Sequence, residues 1–199
     1  DRNGLSGRIP AELGNLTDLV LLFLWNNSLE GPIPESFASC GALQFLDFSW
    51  NRLSGPLPPA IFRLPALYKF LLVGNRLSGP IPSTIGICKS LYRLRLGRNQ
   101  LSGPIPKELA SLPVLSTIYL SHNSLNGTIP QDFQNATALE VLDISYNDLS
   151  GVVPSSGLFK IINPSMLAGN KVLCGGVLGP CLGLDNGVIA SPPRGTNKR

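Results

Sequence analysis

Two periods run through the hydrophobic pattern of this chain. Locally, apolar residues alternate with variable ones, as in Leu94-Arg95-Leu96 and its equivalents, which is the two-residue period of a strand with one face buried. Over a longer distance the whole pattern repeats every 24 residues, with Asn at 3, 27, 51, 75, 99, 123 and 147. Every other signal keeps that phase. Leu follows two residues after each Asn (5 through 149), Gly four after (7 through 151) and Pro seven after (10 through 154). Eight residues before the Asn, each complete coil from Leu19 to Leu139 again carries Leu. Self-similarity at such a period means stacked units that cannot bury their apolar faces alone.

The spacing predicts the course of each coil. A strand of three to five residues ends at the Asn and stacks in parallel on its neighbours, about 4.8 Å apart. The Asn amide is both acceptor and donor, so it can serve backbone groups of its own coil and the next, and its repetition predicts an internal ladder. The Leu-Ser-Gly-x-Ile-Pro segment is expected to turn the chain, Gly supplying permissive angles and Pro an extended return path. A stretch such as Glu108-Leu109-Ala110-Ser111-Leu112 then closes the coil as a brief helical turn. The predicted fold is an α/β repeat solenoid, with a parallel sheet on the concave face and short 3-10 or α turns on the convex face.

Three regions follow. Residues 1–154 hold the repeats, with an incomplete first coil and six complete strands; 155–181 form a C-terminal capping region; 182–199, rich in Gly, Pro, Asn and basic residues, read as a flexible juxtamembrane-like tail. The register decays after Pro154, and Gly169-Asn170-Lys171-Val172-Leu173-Cys174-Gly175-Gly176 leads to Cys181. The short gap between Cys174 and Cys181 reads as a local disulfide sealing the last coil. Cys40 and Cys88 lie eleven residues before an Asn, where other coils place Leu. They stand about 10 Å apart along the stack, too far for a disulfide, and are expected to be buried free thiols. The first coil lacks its strand, which leaves Leu5, Ile9, Leu13 and Leu16 covered on one side only, so further coils are expected before Asp1.

Composition narrows the function. Charged residues are only 14% of the chain and apolar ones 43%, which excludes a disordered chain. The net charge of +4 comes without any Lys/Arg run, so no nucleic-acid footprint is present. A single His and four Cys, with no phosphate loop or zinc spacing, argue against cofactor, metal or His-dependent catalytic chemistry. The longest apolar run, Leu19 to Trp25, has seven residues, against roughly 20 for a membrane span. Sequons at Asn15, Asn26, Asn126 and Asn135 favour a secreted, glycosylated context.

The unit LxxLxLxxNxLSGxIPxxLGxL, seen as Leu91-Tyr92-Arg93-Leu94-Arg95-Leu96-Gly97-Arg98-Asn99-Gln100-Leu101-Ser102-Gly103-Pro104-Ile105-Pro106, resembles the plant-specific leucine-rich repeat. The Gly-Asn-x-x-Leu-Cys-Gly ending resembles the cap of plant leucine-rich-repeat receptor-like kinase ectodomains, in the peptide-hormone receptor group that includes the TDIF receptor. The resemblance covers about 1–181. It implies an extracellular sensor on the outer side of the plasma membrane, joined in its parent to one membrane span and a cytoplasmic Ser/Thr kinase, with no enzyme in this chain itself. A polygalacturonase-inhibitor-like protein or a ligand-free pseudoreceptor module uses the same repeat.

The variable positions mark where a ligand would bind. Six residues before each Asn stand Leu21, Phe45, Lys69, Arg93, Thr117 and Val141; four before stand Phe23, Asp47, Leu71, Arg95, Tyr119 and Asp143. Two before come Trp25, Ser49, Val73, Gly97, Ser121 and Ser145, and at the rim Asn26, Trp50, Gly74, Arg98, His122 and Tyr146. Phe23, Trp25, Phe45 and Trp50 make an exposed aromatic patch that marks a binding surface, followed by a basic stretch of Lys69, Arg93, Arg95 and Arg98. Arg93 and Arg95 point to the same face about 6.7 Å apart. Their forks are placed to grip one carboxylate, or else they are two solvated surface arginines. Several plant peptide-hormone receptors carry an Arg-x-Arg here that holds the free C-terminal carboxylate of a secreted peptide. The resemblance therefore implies that role for Arg93 and Arg95, and a shorter leucine-rich-repeat co-receptor kinase at the C-terminal coils and cap. Asp47 and Asp143 share a column about 19 Å apart, too distant for paired-carboxylate hydrolysis.

Overall fold

The computed structural model describes residues 3–181 and, beyond them, a short antiparallel pairing of Leu184–Asp185 with Val188–Ile189. The rest of the expected 182–199 tail lies outside the described residues. Each complete coil contributes one three-residue strand to a six-stranded parallel sheet: Leu21–Phe23, Phe45–Asp47, Lys69–Leu71, Arg93–Arg95, Thr117–Tyr119 and Val141–Asp143. Pairing follows the 24-residue register without slip, Lys69 opposite Arg93 and Arg93 opposite Thr117. The central residue of each strand points inward: Leu46, Phe70, Leu94, Ile118 and Leu142 are buried. The outer two are left to face the concave surface, because successive side chains of a strand alternate.

The Leu-Ser-Gly segment does not simply turn the chain. It forms a second parallel sheet of eight strands, from Ser6–Arg8 through Ser28–Gly31, Arg52–Gly55, Arg76–Gly79, Gln100–Pro104, Ser124–Thr128 and Asp148–Val152 to Val172–Cys174. Neighbouring coils supply the partners that an isolated Ser-Gly segment lacks, and the sequence of one coil alone does not reveal them. Gly at the end or in the interior of each of the first seven strands has φ between 76° and 87°, a left-handed bend at which a side chain would be strained. The Pro that follows is the extended residue capping each five-residue 3-10 turn, such as Lys107–Ser111 after Pro106. These turns send Phe37, Ile61, Phe62, Ile85, Leu109 and Phe133 into the core.

The Asn ladder is the internal fastening. Asn75 Oδ1 accepts from the Leu53 N–H of the preceding coil at 3.0 Å, and Nδ2 donates to the Phe48 and Leu72 carbonyls at 3.0 and 3.1 Å. Asn51, Asn99, Asn123 and Asn147 bond their own and the preceding coil in the same way. The ladder continues past the decay of the repeat. Asn170 accepts from Leu149 N–H at 3.0 Å and donates to Ile144 and Leu167 carbonyls at 3.0 and 2.9 Å. The last coil has lost one residue of length but kept its rung.

The residue before each rung adopts left-handed backbone: Asn26, Trp50, Gly74, Arg98, His122, Tyr146 and Gly169 have φ between 53° and 76°. Bulky residues occupy five of these seven positions, so φ alone does not require glycine. At Gly74 the reason is the ring of the preceding coil, since a Cβ there would sit 2.6 Å from Trp50. Gly169 lies under Tyr146 in the same way, at 2.6 Å.

At the N-terminal edge Leu5, Leu16, Val20 and Leu21 are exposed, whereas Ile9 is buried, contrary to its expected one-sided cover. The pairing of Ser6–Arg8 with the next coil closes over it. Cys174 and Cys181 are disulfide-linked, with Cα atoms 5.0 Å apart. Cys40 and Cys88 are free and buried. Burial pushes the Cys40 thiol up, and the Cys88 thiol up to about 11. Among the described residues no helix is long and apolar enough to cross a membrane.

Candidate ligand-binding face

The concave sheet stacks its outward residues in columns, so the register decides who meets whom. One column runs Phe45, Lys69, Arg93, Thr117; the next runs Asp47, Leu71, Arg95, Tyr119. Arg93 and Arg95 flank the buried Leu94 on a single strand and face the same side. Neither guanidinium is fully solvated. Nε of both arginines is buried without a hydrogen-bond partner, a position that leaves a strong donor unsatisfied.

Aromatic rings hold these cations in place. The Arg95 guanidinium lies 4.8 Å from the Tyr119 ring centre and that of Arg93 5.9 Å from Tyr92. Lys69 Nζ sits 4.9 Å from Phe45 and 5.9 Å from Tyr68. Tyr68 and Tyr92 stack at 4.9 Å with planes 5° apart, and Phe45 joins Tyr68 at 5.7 Å. The result is a file of three rings bracing two cations. Tyr68 and Tyr92 were not among the residues expected from sequence. They precede the strand, seven residues before the Asn; the signal was Tyr recurring at 24-residue spacing beside two cations.

Two recesses open on either side of Arg95. One of about 410 Å³ is lined by Trp25, Asp47, Ser49, Trp50, Leu71, Val73 and Arg95. The other, about 290 Å³, is lined by Val73, Arg95, Gly97, Arg98, Tyr119 and Ser121. The expected aromatic patch is therefore divided. Trp25 and Trp50 share a recess with Asp47, Phe45 belongs to the tyrosine file, and Phe23 lines neither recess. Arg98 joins Arg95 at the second recess, while Lys69 stays with the rings. On the rim, His122 stacks on Tyr146 at 4.4 Å. Asn15, Asn26, Asn126 and Asn135 all have exposed side chains.

The leucine-rich-repeat family model matches residues 89–149, and a second leucine-rich-repeat model matches 18–40 and 42–64. Among curated proteins nothing matches. Among solved structures, the plant peptide hormone receptor RGFR1, in complex with RGF2, is 41% identical over 88% of this chain and 26% of its own, with a TM-score of 0.75. Pollen Receptor Kinase 3 is 32% identical, over 76% of this chain and 78% of its own, with a TM-score of 0.63. The chain belongs to the plant leucine-rich-repeat receptor ectodomains. A further relative of this receptor ectodomain is HAESA of Arabidopsis, in complex with the peptide hormone IDA and the co-receptor SERK1. It is 35% identical over 89% of this chain and 33% of its own, at a TM-score of 0.73. The present ectodomain chain thus spans about 26% and 33% of the two hormone receptors' lengths. Its fold is that of the leucine-rich-repeat ectodomains among these solved structures.

Proposed function

We propose that this receptor ectodomain senses a secreted peptide hormone laid along the concave face, with Arg93 and Arg95 holding the peptide's C-terminal carboxylate. Lys69 and Arg98 extend the positive field, and Phe23, Trp25, Phe45, Asp47 and Trp50 meet the preceding residues. The coils after Arg95 and the capping region 155–181 are offered to a shorter leucine-rich-repeat co-receptor kinase. The parent is a single-pass plasma-membrane protein with a cytoplasmic kinase, glycosylated at the four exposed sequons. RGFR1 and HAESA were both captured with peptide hormones, and HAESA also with SERK1, which supports the reading.

The observation that carries it is the placement of Arg93 and Arg95, which face the same side of one concave strand with their guanidiniums laid against the Tyr92 and Tyr119 rings. A carboxylate offers about four lone-pair sites to such forks, and ionised partners make the stronger hydrogen bonds. To test it, a synthetic peptide library with free C-termini is screened against the wild-type chain and against Arg93→Ala/Arg95→Ala. Removing one side of a buried charge pair costs about 2–5 kcal/mol, so the selected peptides should bind the double variant at least about 30-fold more weakly. Equal binding by both proteins overturns the assignment.

A further inference from the structure

We infer that the recess lined by Trp25, Asp47 and Trp50 is a cation-selecting subsite, which takes a Lys or Arg side chain two or three residues ahead of the ligand's carboxylate. The inference deepens the proposed function and rests on it for the placement of that carboxylate.

Asp47 ends its strand half-buried, and its Oδ1 accepts from the Ser49 N–H at 2.9 Å. Asp143, in the same column, is more fully engaged. Its Oδ1 accepts from both the Ser145 N–H and the Ser145 hydroxyl, at 3.1 and 2.6 Å. Asp47 therefore keeps more accepting capacity, and it is Asp47 that lines a recess of about 410 Å³. A carboxylate beside the exposed Trp50 indole suits an ammonium or guanidinium, which gains a charge-assisted hydrogen bond and a cation–ring contact.

The recess is also built to persist. Trp50 is held at φ 58°, and its ring lies over Gly74, where a Cβ would meet it at 2.6 Å. Arg95 lines the same recess, yet its guanidinium is drawn toward Tyr119 at 4.8 Å, one coil farther on, while Leu71 separates it from Asp47 in the column. Asp47 is thus kept for an incoming charge. Two coils separate Asp47 from Arg95, about 9.6 Å at 4.8 Å per coil, and an extended peptide covers that in about three residues. The length of a Lys or Arg side chain admits a position one residue nearer.

The test uses dye-labelled Gly/Ser heptapeptides ending in a free carboxylate or an amide. Each carries Lys, Gln or Glu at the second or third residue before the C-terminus, titrated at low salt against wild type, Asp47→Asn and Arg95→Ala. Asn retains an oxygen to accept from Ser49, so Asp47→Asn preserves the local fold. The Lys peptide should bind wild type about ten-fold more tightly than the Gln peptide, with Glu weakest. Asp47→Asn should abolish that order and leave the acid-over-amide preference intact, whereas Arg95→Ala should weaken the acid-over-amide preference. A Lys preference that is absent, or that survives Asp47→Asn, overturns the subsite while leaving the carboxylate reading standing. A Lys preference that depends on Asp47 without any acid-over-amide preference overturns the carboxylate reading and, with it, the stated spacing. Binding of none of these peptides overturns both.

Discussion

The two parallel sheets come from the same coil and serve opposite ends. In the concave sheet the strand Arg93–Arg95 spends one residue, Leu94, on the core and shows two to the outside. In the second sheet the equivalent coil contributes Gln100–Pro104, where Leu101 is buried and Gly103 bends back at φ 76°. Backbone pairing, the Asn ladder and the Gly bend satisfy the framework side with residues that repeat in every coil. The display side needs only alternation, so its outward columns are free to differ, from Phe45 to Lys69 to Arg93 to Thr117. Substitutions on the framework side should therefore cost stability, and substitutions on the display side should cost binding.

The largest expected effect is on the ladder. Asn75→Ala would strand the Leu53 N–H and take one of two donors from each of the Phe48 and Leu72 carbonyls, which keep those of Asn51 and Asn99. With about 1–3 kcal/mol for the orphaned N–H and about 1 for each of the two lost bonds, the loss should be about 4 kcal/mol in urea unfolding. Next is Gly74→Ala, which combines left-handed backbone with the Trp50 ring at 2.6 Å. It should cost about 2–3 kcal/mol, falling to about 1 in a Trp50→Ala background, where only the backbone strain remains. Equal cost in both backgrounds would remove the ring from the explanation.

Burial of Cys88 sets a pH limit on the framework. Its thiol rises from near 9 to about 11 in the folded chain, so between those values the unfolded state has lost a proton that the folded state keeps. Stability that is fully present below pH 9 should then decline toward pH 11, by an amount on the order of 2 kcal/mol. Cys88→Ala should flatten that decline in thermal melts across pH 8–11. The smallest expected effect is that of Arg93→Ala/Arg95→Ala on stability, about 1 kcal/mol, because the exchange gives up two cation–ring contacts and leaves Leu94 in place.

Much of this was legible in the sequence because one phase governs everything buried. The ladder, the alternation in each strand, the 3-10 turns and the interior place of Cys40 and Cys88 all follow from position relative to Asn. The second sheet was not legible, since Ser-Gly-Pro reads as turn chemistry and its partners lie 22 residues away in another coil. Asn170 escaped the repeat because its spacing from Asn147 is 23 residues. On the display face the columns were readable, but which rings brace which cations was not. That depends on side-chain directions: Arg95 toward Tyr119, Lys69 toward Phe45, Trp50 over Gly74.

The most direct measurement compares one binding peptide as free acid and as C-terminal amide, against wild type and Arg93→Ala/Arg95→Ala, by calorimetric titration. Two guanidinium forks awaiting a carboxylate predict a strong preference for the acid in the wild type and none in the double variant. The same affinity for acid and amide on the wild-type chain would contradict the account.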